Sequence, residues 1–277
     1  MRRIWIIAQV TFREAARKKL LLVAVLAGLG FLALFATGLH YQVQAFDHRH
    51  ASPFVRKQVG SVFLMLGLYA INMLMVLMTV LISVDTLSGE IASGTIQAIA
   101  TKPISRWELV LGKWLGFSGM LAAYILLMVG GTNAVSYAMT GGIARHWIEG
   151  FALMVLEAVL LLSITLFFGS SLSTLTSGAL ALGLHGLAFV GGGVEQAGAL
   201  TDTPKAVLVG VLASVVMPSE SLWRRAAYVM QSPLATAVNA TPFSAASVPS
   251  GWMVAYAGFY TLCFLVLAVW RVERRDL

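Results

Sequence analysis

Residues 60–84 read GSVFLMLGLYAINMLMVLMTVLISV and contain no charged side chain. About 20 consecutive apolar residues are enough for a helix to cross the hydrocarbon core of a bilayer. The residues of this stretch do not alternate between polar and apolar, as they do in the strands of a membrane barrel. Because a helix pairs its backbone polar groups within one segment, we predict that this stretch crosses a membrane as a helix.

Five further runs of similar length and character predict five more transmembrane helices. The composition agrees, since 58% of all residues are hydrophobic and only 11% are charged, whereas soluble domains have about 25% charged residues. The sequence therefore predicts an all-α integral membrane protein, a single transmembrane domain over residues 1–277. The six predicted spans are 20–39, 60–84, 114–139, 151–172, 176–194 and 252–270.

Two other segments are predicted to touch the membrane without crossing it. Residues 1–19 form an amphipathic helix with Trp5 and Phe12 on one side and Arg13 on another, which is typical of an interfacial helix. Its role is open between a plain membrane anchor and contact with a partner subunit. Residues 206–217 are apolar but too short to span, so we predict a re-entrant or interfacial piece within an outer loop over 198–250.

The charges predict the orientation. Six spans place both termini on one side, and most of the 19 Lys and Arg residues fall there, close to the ends of the spans. The positive-inside rule therefore predicts cytoplasmic termini in a multi-pass protein of the cell inner membrane. Membrane topology also accounts for the net charge of +7. The basic charge therefore does not indicate nucleic acid as a partner, whereas membrane lipids are expected partners.

The segment between the second and third spans carries the most information. Residues 85–106 read DTLSGEIASGTIQAIATKPISR. Ser88 or Gly89 is a possible start for a short helix that Pro103 would end, and Ser105 with Glu108 fits a capping box at the start of the next helix. A short isolated helix is marginal in water, so it is expected to dock onto something. The alternative is an ordinary structured loop.

These residues carry a family resemblance. Glu90, Gly94-Thr95, Pro103 and Ser105-Arg106, followed by 109–113, together with the basic residues 12–19, resemble ABC-2 type transporter permeases. The resemblance includes the six-span layout and runs nearly end to end. Within the family, the chain resembles the permeases of nitrous-oxide-reductase maturation and gliding motility.

The resemblance implies how the protein works. It implies an exporter in which two copies of the permease, a homodimer, bind two separate ABC ATPase subunits, with residues 85–106 as the coupling helix. The positions that would transmit the motion are Glu90, Gly94, Thr95, Pro103 and Arg106, with Glu90 or Arg106 pairing with side chains of the ATPase. ATP and magnesium would be bound by the partner, and no cofactor is expected in this chain.

The missing ATP-binding motif favours this division of labour. A Walker A loop requires G-x-x-x-x-G-K-[ST], but Gly112-Lys113 is followed by Trp114 and preceded by Trp107 where the first glycine belongs. We therefore predict a non-catalytic subunit. Two alternatives are an intramembrane enzyme, for which the sequence lacks an H-E-x-x-H pair, and a membrane anchor or assembly factor that recruits an ATPase without transporting cargo.

Two sets of polar residues are further candidates for a site. Glu157 and His185 fall at mid-depth of adjacent spans, where ionisable groups are costly and often functional. We predict that they pair, in a structural hydrogen bond rather than in a substrate or proton site. His48 and His50 alternate in the first outer loop and are weak candidates for a transition metal. Because two histidines do not complete a site and Arg49 opposes a cation, we favour a solvated loop there.

Overall fold

The computed structural model describes residues 2–17, 19–48, 52–92, 105–232 and 247–274, and all regular secondary structure in these ranges is helical. The helices follow one another as α1 (Arg2–Arg17), α2 (Lys19–His48), α3 (Pro53–Ala92), α4 (Arg106–Thr140), α5 (Trp147–Gly169), α6 (Thr174–Leu200), α7 (Pro204–Val216), α8 (Ser219–Met230) and α9 (Gly251–Glu273).

Six of these helices are long and apolar enough to cross a membrane. The candidate spans are Leu21–Phe46, Lys57–Val84, Arg106–Thr140, Trp147–Gly169, Thr174–Leu200 and Gly251–Glu273. They lie in α2, α3, α4, α5, α6 and α9, and each includes most or all of one predicted run. The predicted all-α membrane fold with six spans is confirmed.

Neighbouring spans run antiparallel and pack closely. Phe35 of α2 lies against Gly67 of α3, while Gly38 lies against Phe63, so α2 ascends as α3 descends. We call the end of the bundle with α1, the start of α4 and the C-terminal end of α9 the terminal face. The opposite end, which includes residues 141–146 between α4 and α5, is the far face.

Helix α5 is the centre of the bundle. It packs against α3, α4, α6, α8 and α9, and consecutive residues on all its sides, Leu160, Leu161 and Leu162, are fully buried. A helix that is apolar all round is expected in such a position. By contrast, most of α2 lies at the periphery, where its apolar side chains are exposed.

The second span extends further than its apolar run. Helix α3 continues through Ser88 and Gly89 to Ala92, so the expectation that one of these residues starts a new helix is wrong. Neither is a strong helix breaker, since one Gly inside a helix costs about 1 kcal/mol relative to Ala. The predicted N-cap further on is confirmed, because α4 begins after Ser105 and the Ser105 N–H donates to Glu108 Oε2 at 3.2 Å.

Helices α7 and α8 form a sharply bent pair. Their axes differ by 108° across a short break at Met217 and Pro218. The apolar piece predicted over 206–217 corresponds to α7. Its last carbonyls, which have no partner within the helix, accept hydrogen bonds from α9. Tyr256 Oη donates to the carbonyl of Val215 at 2.7 Å, and Tyr260 Oη donates to that of Val216 at 2.8 Å.

Small residues bring α7 onto α6. A Cβ on Gly191 would overlap Ala213 Cβ, and one on Gly210 would overlap Glu195. Close backbone approach at small residues is a usual means of helix association in membranes. The glycines of α6 differ in this respect, because a Cβ on Gly193 would meet no atom within 4 Å.

This difference gives a prediction about the sign of two equivalent substitutions. Gly191→Ala should lower the stability of the protein by about 1–3 kcal/mol, the usual cost of overpacking. Gly193→Ala should raise it by about 0.5–1 kcal/mol, because Ala is the better helix former. Melting temperatures of the purified variants in detergent measure both effects. If both variants changed the melting temperature equally and in the same direction, the close contact of α6 with α7 would be contradicted.

Candidate functional site

At the terminal face, Arg106 ties the start of α4 to the end of α9. Its Nη1 donates to the carbonyls of Val272 and Glu273 at 3.3 and 3.5 Å. Carbonyls in the last turn of a helix lack partners within that helix, and a cation there is also favoured by the helix dipole. The predicted coupling residue Arg106 is therefore engaged within the chain, at the junction of two spans.

Lys113 makes a similar link between α4 and α3. The side chain is only 6% exposed, and its Nζ donates to the carbonyl of Thr86 at 3.4 Å. Thr86 lies just beyond the apolar part of α3, in the stretch that leads to the predicted coupling segment. Together, Arg106 and Lys113 fasten three spans to one another at the terminal face.

Helix α1 docks on the same part of α4. A Cβ on Gly112 would lie 2.6 Å from the Ile7 side chain, and one on Gly116 would lie 2.7 Å from the Ala8 carbonyl oxygen. The spacing of these two glycines is the small-xxx-small pattern of close helix contacts. The predicted interfacial helix is thus packed on the first turns of the third span. Trp5 on its outer side remains 63% exposed.

Of the other predicted coupling positions, only Glu90 lies within the described residues. Glu90 lies in the last turns of α3, although its side chain is outside the described structure. Gly94, Thr95 and Pro103 lie outside the described residues, as does most of the predicted coupling helix. The described residues place the two ends of that segment at the terminal face, where α3 ends and α4 begins.

Deeper in the bundle, Glu157 and His185, which were predicted to pair, have different hydrogen-bond partners. Glu157 is fully buried, and its Oε1 accepts a hydrogen bond from Asn72 Nδ2 of α3 at 3.4 Å. His185 Nδ1 is 3.0 Å from Ser219 Oγ at the start of α8. Each residue therefore has a partner on a different helix, and no hydrogen bond between them is found among the described residues.

A buried ion pair nearby was not predicted from the sequence. Arg224 Nη2 of α8 donates to Glu195 Oε2 of α6 at 2.9 Å, and both side chains are almost fully buried. The same nitrogen lies 3.3 Å from Ser214 Oγ, and Ser247 Oγ donates to Glu195 Oε1 at 2.5 Å. On sequence alone, Arg224 falls in the outer loop predicted over 198–250. Its partner Glu195 is 29 residues away in the sequence, and no local spacing indicates that pairing.

The two histidines predicted as weak metal candidates lie at the edge of the described residues or beyond it. Helix α2 extends to His48, whose side chain is outside the described structure, and His50 lies outside the described residues. Within the described ranges, no group of three or more His, Cys, Asp or Glu side chains could hold a metal ion.

The ion pair gives a second prediction. Arg224→Met should destabilise the protein by about 3–5 kcal/mol, because it leaves the carboxylate of Glu195 buried without its cation. Removing both charges in Arg224→Met with Glu195→Met should cost less than either single change.

The neighbouring Arg225, which donates to the Pro249 carbonyl at 2.8 Å, gives the matched control Arg225→Met, for which we expect a loss of about 0.5–1.5 kcal/mol. Chemical unfolding in detergent measures all four. Additive effects of the two single changes would contradict a buried pair.

The comparisons with known proteins agree with this architecture. A family model described as "ABC-2 family transporter protein" matches residues 5–277, from the first turn of α1 to the last residue. A comparison with curated proteins found no match. A model that covers nearly all of the sequence, on an all-helical chain with six candidate spans, identifies the protein as a member of the ABC-2 transporter family.

Proposed function

We propose that this chain is the permease subunit of an ATP-driven exporter, in which two copies form the membrane path and two separate ATPase subunits bind at the terminal face. The family match supports a transmembrane permease. The lack of a Walker A sequence in the 277 residues supports a separate source of ATP hydrolysis. ATP and magnesium would then be bound by the partner subunit.

The observation that best supports the proposal is that contacts at the terminal face connect four helices, α1, α3, α4 and α9. Arg106 connects α4 with α9, Lys113 connects α4 with α3, and Gly112 and Gly116 seat α1 on α4. A force applied between α3 and α4 therefore acts on several spans together. This is what an ATPase on that face needs in order to convert its own closure into a rearrangement of the spans, provided that ATP binding favours one arrangement.

In this proposal the predicted coupling residues have two different roles. Glu90, Gly94, Thr95 and Pro103 belong to the segment that contacts the ATPase. Arg106 is a positioning residue, because its described partners are carbonyls at the end of α9. The terminal face is cytoplasmic in the inner membrane, which places the basic residues around the termini on the side that the positive-inside rule favours.

The proposal predicts different effects for a contact residue and a positioning residue. The tagged chain is purified in mild detergent from its own membrane, where a subunit with a Walker A motif should co-purify. Glu90→Lys should reduce the amount of this subunit about tenfold, equivalent to about 1.4 kcal/mol of binding free energy. Arg106→Ala should leave binding largely intact and lower the ATP hydrolysis stimulated by the permease.

Arg274→Ala is the matched control. Arg274 is an exposed arginine of the same face and stacks on the Trp270 ring, 4.4 Å from its centroid, so its loss should change neither quantity. If no Walker A subunit co-purifies with the wild-type chain, the permease function is contradicted. If the ATPase binds but its rate is independent of the permease, a passive anchor explains the data better.

A further inference from the structure

A cavity opens at the far face between α3, α4 and the end of α8. It has two lobes of about 340 and about 420 Å³, within the range of sites for small molecules. Ser61 and Leu64 of α3 and Ile143 of the loop after α4 line both lobes, so the lobes adjoin. The cavity lies beside the first turns of one candidate span and the last turns of the next. It is therefore placed where the membrane would meet water.

The loop on one side of the cavity is fixed to two helices. Gly141 ends α4 in the left-handed conformation, with φ 69°, and the Ala144 N–H donates to Asn133 Oδ1 of α4 at 2.8 Å. The Arg145 N–H donates to the carbonyl of Met230, the last residue of α8, at 3.1 Å. These hydrogen bonds hold the wall of the cavity in place, so the space is a built feature of the fold.

The cavity is charged at its outer part and apolar at its inner part. Lys57 lines one lobe and Arg145 lines the other, and both side chains are exposed. Leu64, Met65 and Met230 also line the cavity and are buried. Along α3, Leu64 lies about 10 Å deeper than Lys57 at 1.5 Å per residue. A ligand that fills the cavity would thus have one end near cations and the other among apolar side chains.

The two cations have no counter-charge. No acidic side chain occurs among the described residues that line the lobes. Within the described part of the chain, neither Lys57 nor Arg145 makes an ion pair or a side-chain hydrogen bond. A cleft lined by charges of one sign concentrates ligands of the opposite sign, and the apolar inner part favours a hydrocarbon group. The lining therefore matches a molecule that is both anionic and apolar.

We propose that this cavity binds an amphiphile with one acidic headgroup and a single apolar chain. The headgroup lies near Lys57 and Arg145, and the chain extends inward against Leu64, Met65 and Met230. Such a molecule reaches the cavity from the membrane surface, where its headgroup stays in contact with water. The size of the lobes fits one chain better than the two chains of a phospholipid. This inference concerns binding by the chain alone, so it does not depend on the proposed ATPase partner.

The test measures the binding of radiolabelled dodecyl phosphate to the full chain in nanodiscs of phosphatidylcholine, with empty nanodiscs as the background. Binding above this background should be saturable. Dodecanol has the same chain without the charge, and inorganic phosphate has the charge without the chain. Each should compete at least about tenfold more weakly than unlabelled dodecyl phosphate, because each lacks one part of the interaction.

Substitutions at the charged part test the role of the cations. Lys57→Gln and Arg145→Gln should each weaken the binding of dodecyl phosphate about three- to fivefold, because each removes one exposed cation. The two changes together should weaken it about tenfold or more. Lys205→Gln is the matched control, since Lys205 is an exposed lysine at the start of α7 and does not line the cavity. It should bind like the wild type.

A substitution that fills the cavity tests the position of the chain. The side chain of Ser61→Phe would occupy the space that the two lobes share, so binding should fall at least about tenfold through the steric clash. Ile143→Trp gives a second test of the same space in case the first variant does not fold, because Ile143 is 55% exposed and lies in the loop.

Four results would overturn the proposal. Unchanged binding in the folded Ser61→Phe or Ile143→Trp variant would place the ligand elsewhere. Equal competition by dodecanol would leave no role for the cations, and equal competition by inorganic phosphate would indicate a simple anion site. Loss of dodecyl phosphate binding when the nanodiscs contain phosphatidylglycerol would show that a two-chain lipid of the bilayer occupies the cavity.

Discussion

In the interior of a bilayer, backbone polar groups must be paired without the help of water. Only helices can meet this requirement over a continuous lipid-facing segment, and every candidate span is one unbroken helix. This requirement is hardest to meet at the break between α7 and α8, where the backbone leaves one helix and enters the next. There Tyr256 and Tyr260 of α9 supply the donors for Val215 and Val216. The bent pair thus depends on the last span for part of its backbone pairing.

The same medium explains where the charged side chains lie. Helix α8 has a polar sequence, yet Arg224 is among the largest fully buried side chains of the described structure. A charge can occupy such a position only with a close partner of opposite sign, and Glu195 provides it at 2.9 Å. Helix α8 packs chiefly against α5 and α6 and also touches α9, α3 and α7, which gives the small residues of α6 a structural purpose. Gly191 admits α7, and Gly192 admits the side chain of Glu220.

The parts of the fold that were predictable from the sequence are those set by local rules. The six spans follow from uninterrupted apolar runs such as 60–84, and the start of α4 follows from Ser105 and Glu108, three residues apart. One local expectation was wrong, the helix start at Ser88 or Gly89, because α3 continues through both residues. The other errors concern partners that are distant in sequence. Glu157 was assigned to His185 from depth alone, but its partner Asn72 is 85 residues away. Depth along a span does not define which face of a helix a side chain occupies, so the choice between Asn72 and His185 required the three-dimensional packing.

Helix α3 connects the two polar regions of the molecule physically. Near one end, the Thr86 carbonyl accepts a hydrogen bond from Lys113 at the terminal face, and further along the same unbroken helix Asn72 contacts Glu157. At 1.5 Å per residue these two positions are about 21 Å apart along the axis. Because a packed helix moves as a unit rather than deforming continuously, a shift of α3 at the terminal face must change the distance between Asn72 and Glu157, unless α5 moves with it. Helix α5 is itself linked to α4, because Trp114 Nε1 donates to Ser163 Oγ at 2.9 Å. Relative motion of α3 and α5 would therefore act on the hydrogen bond between Asn72 and Glu157.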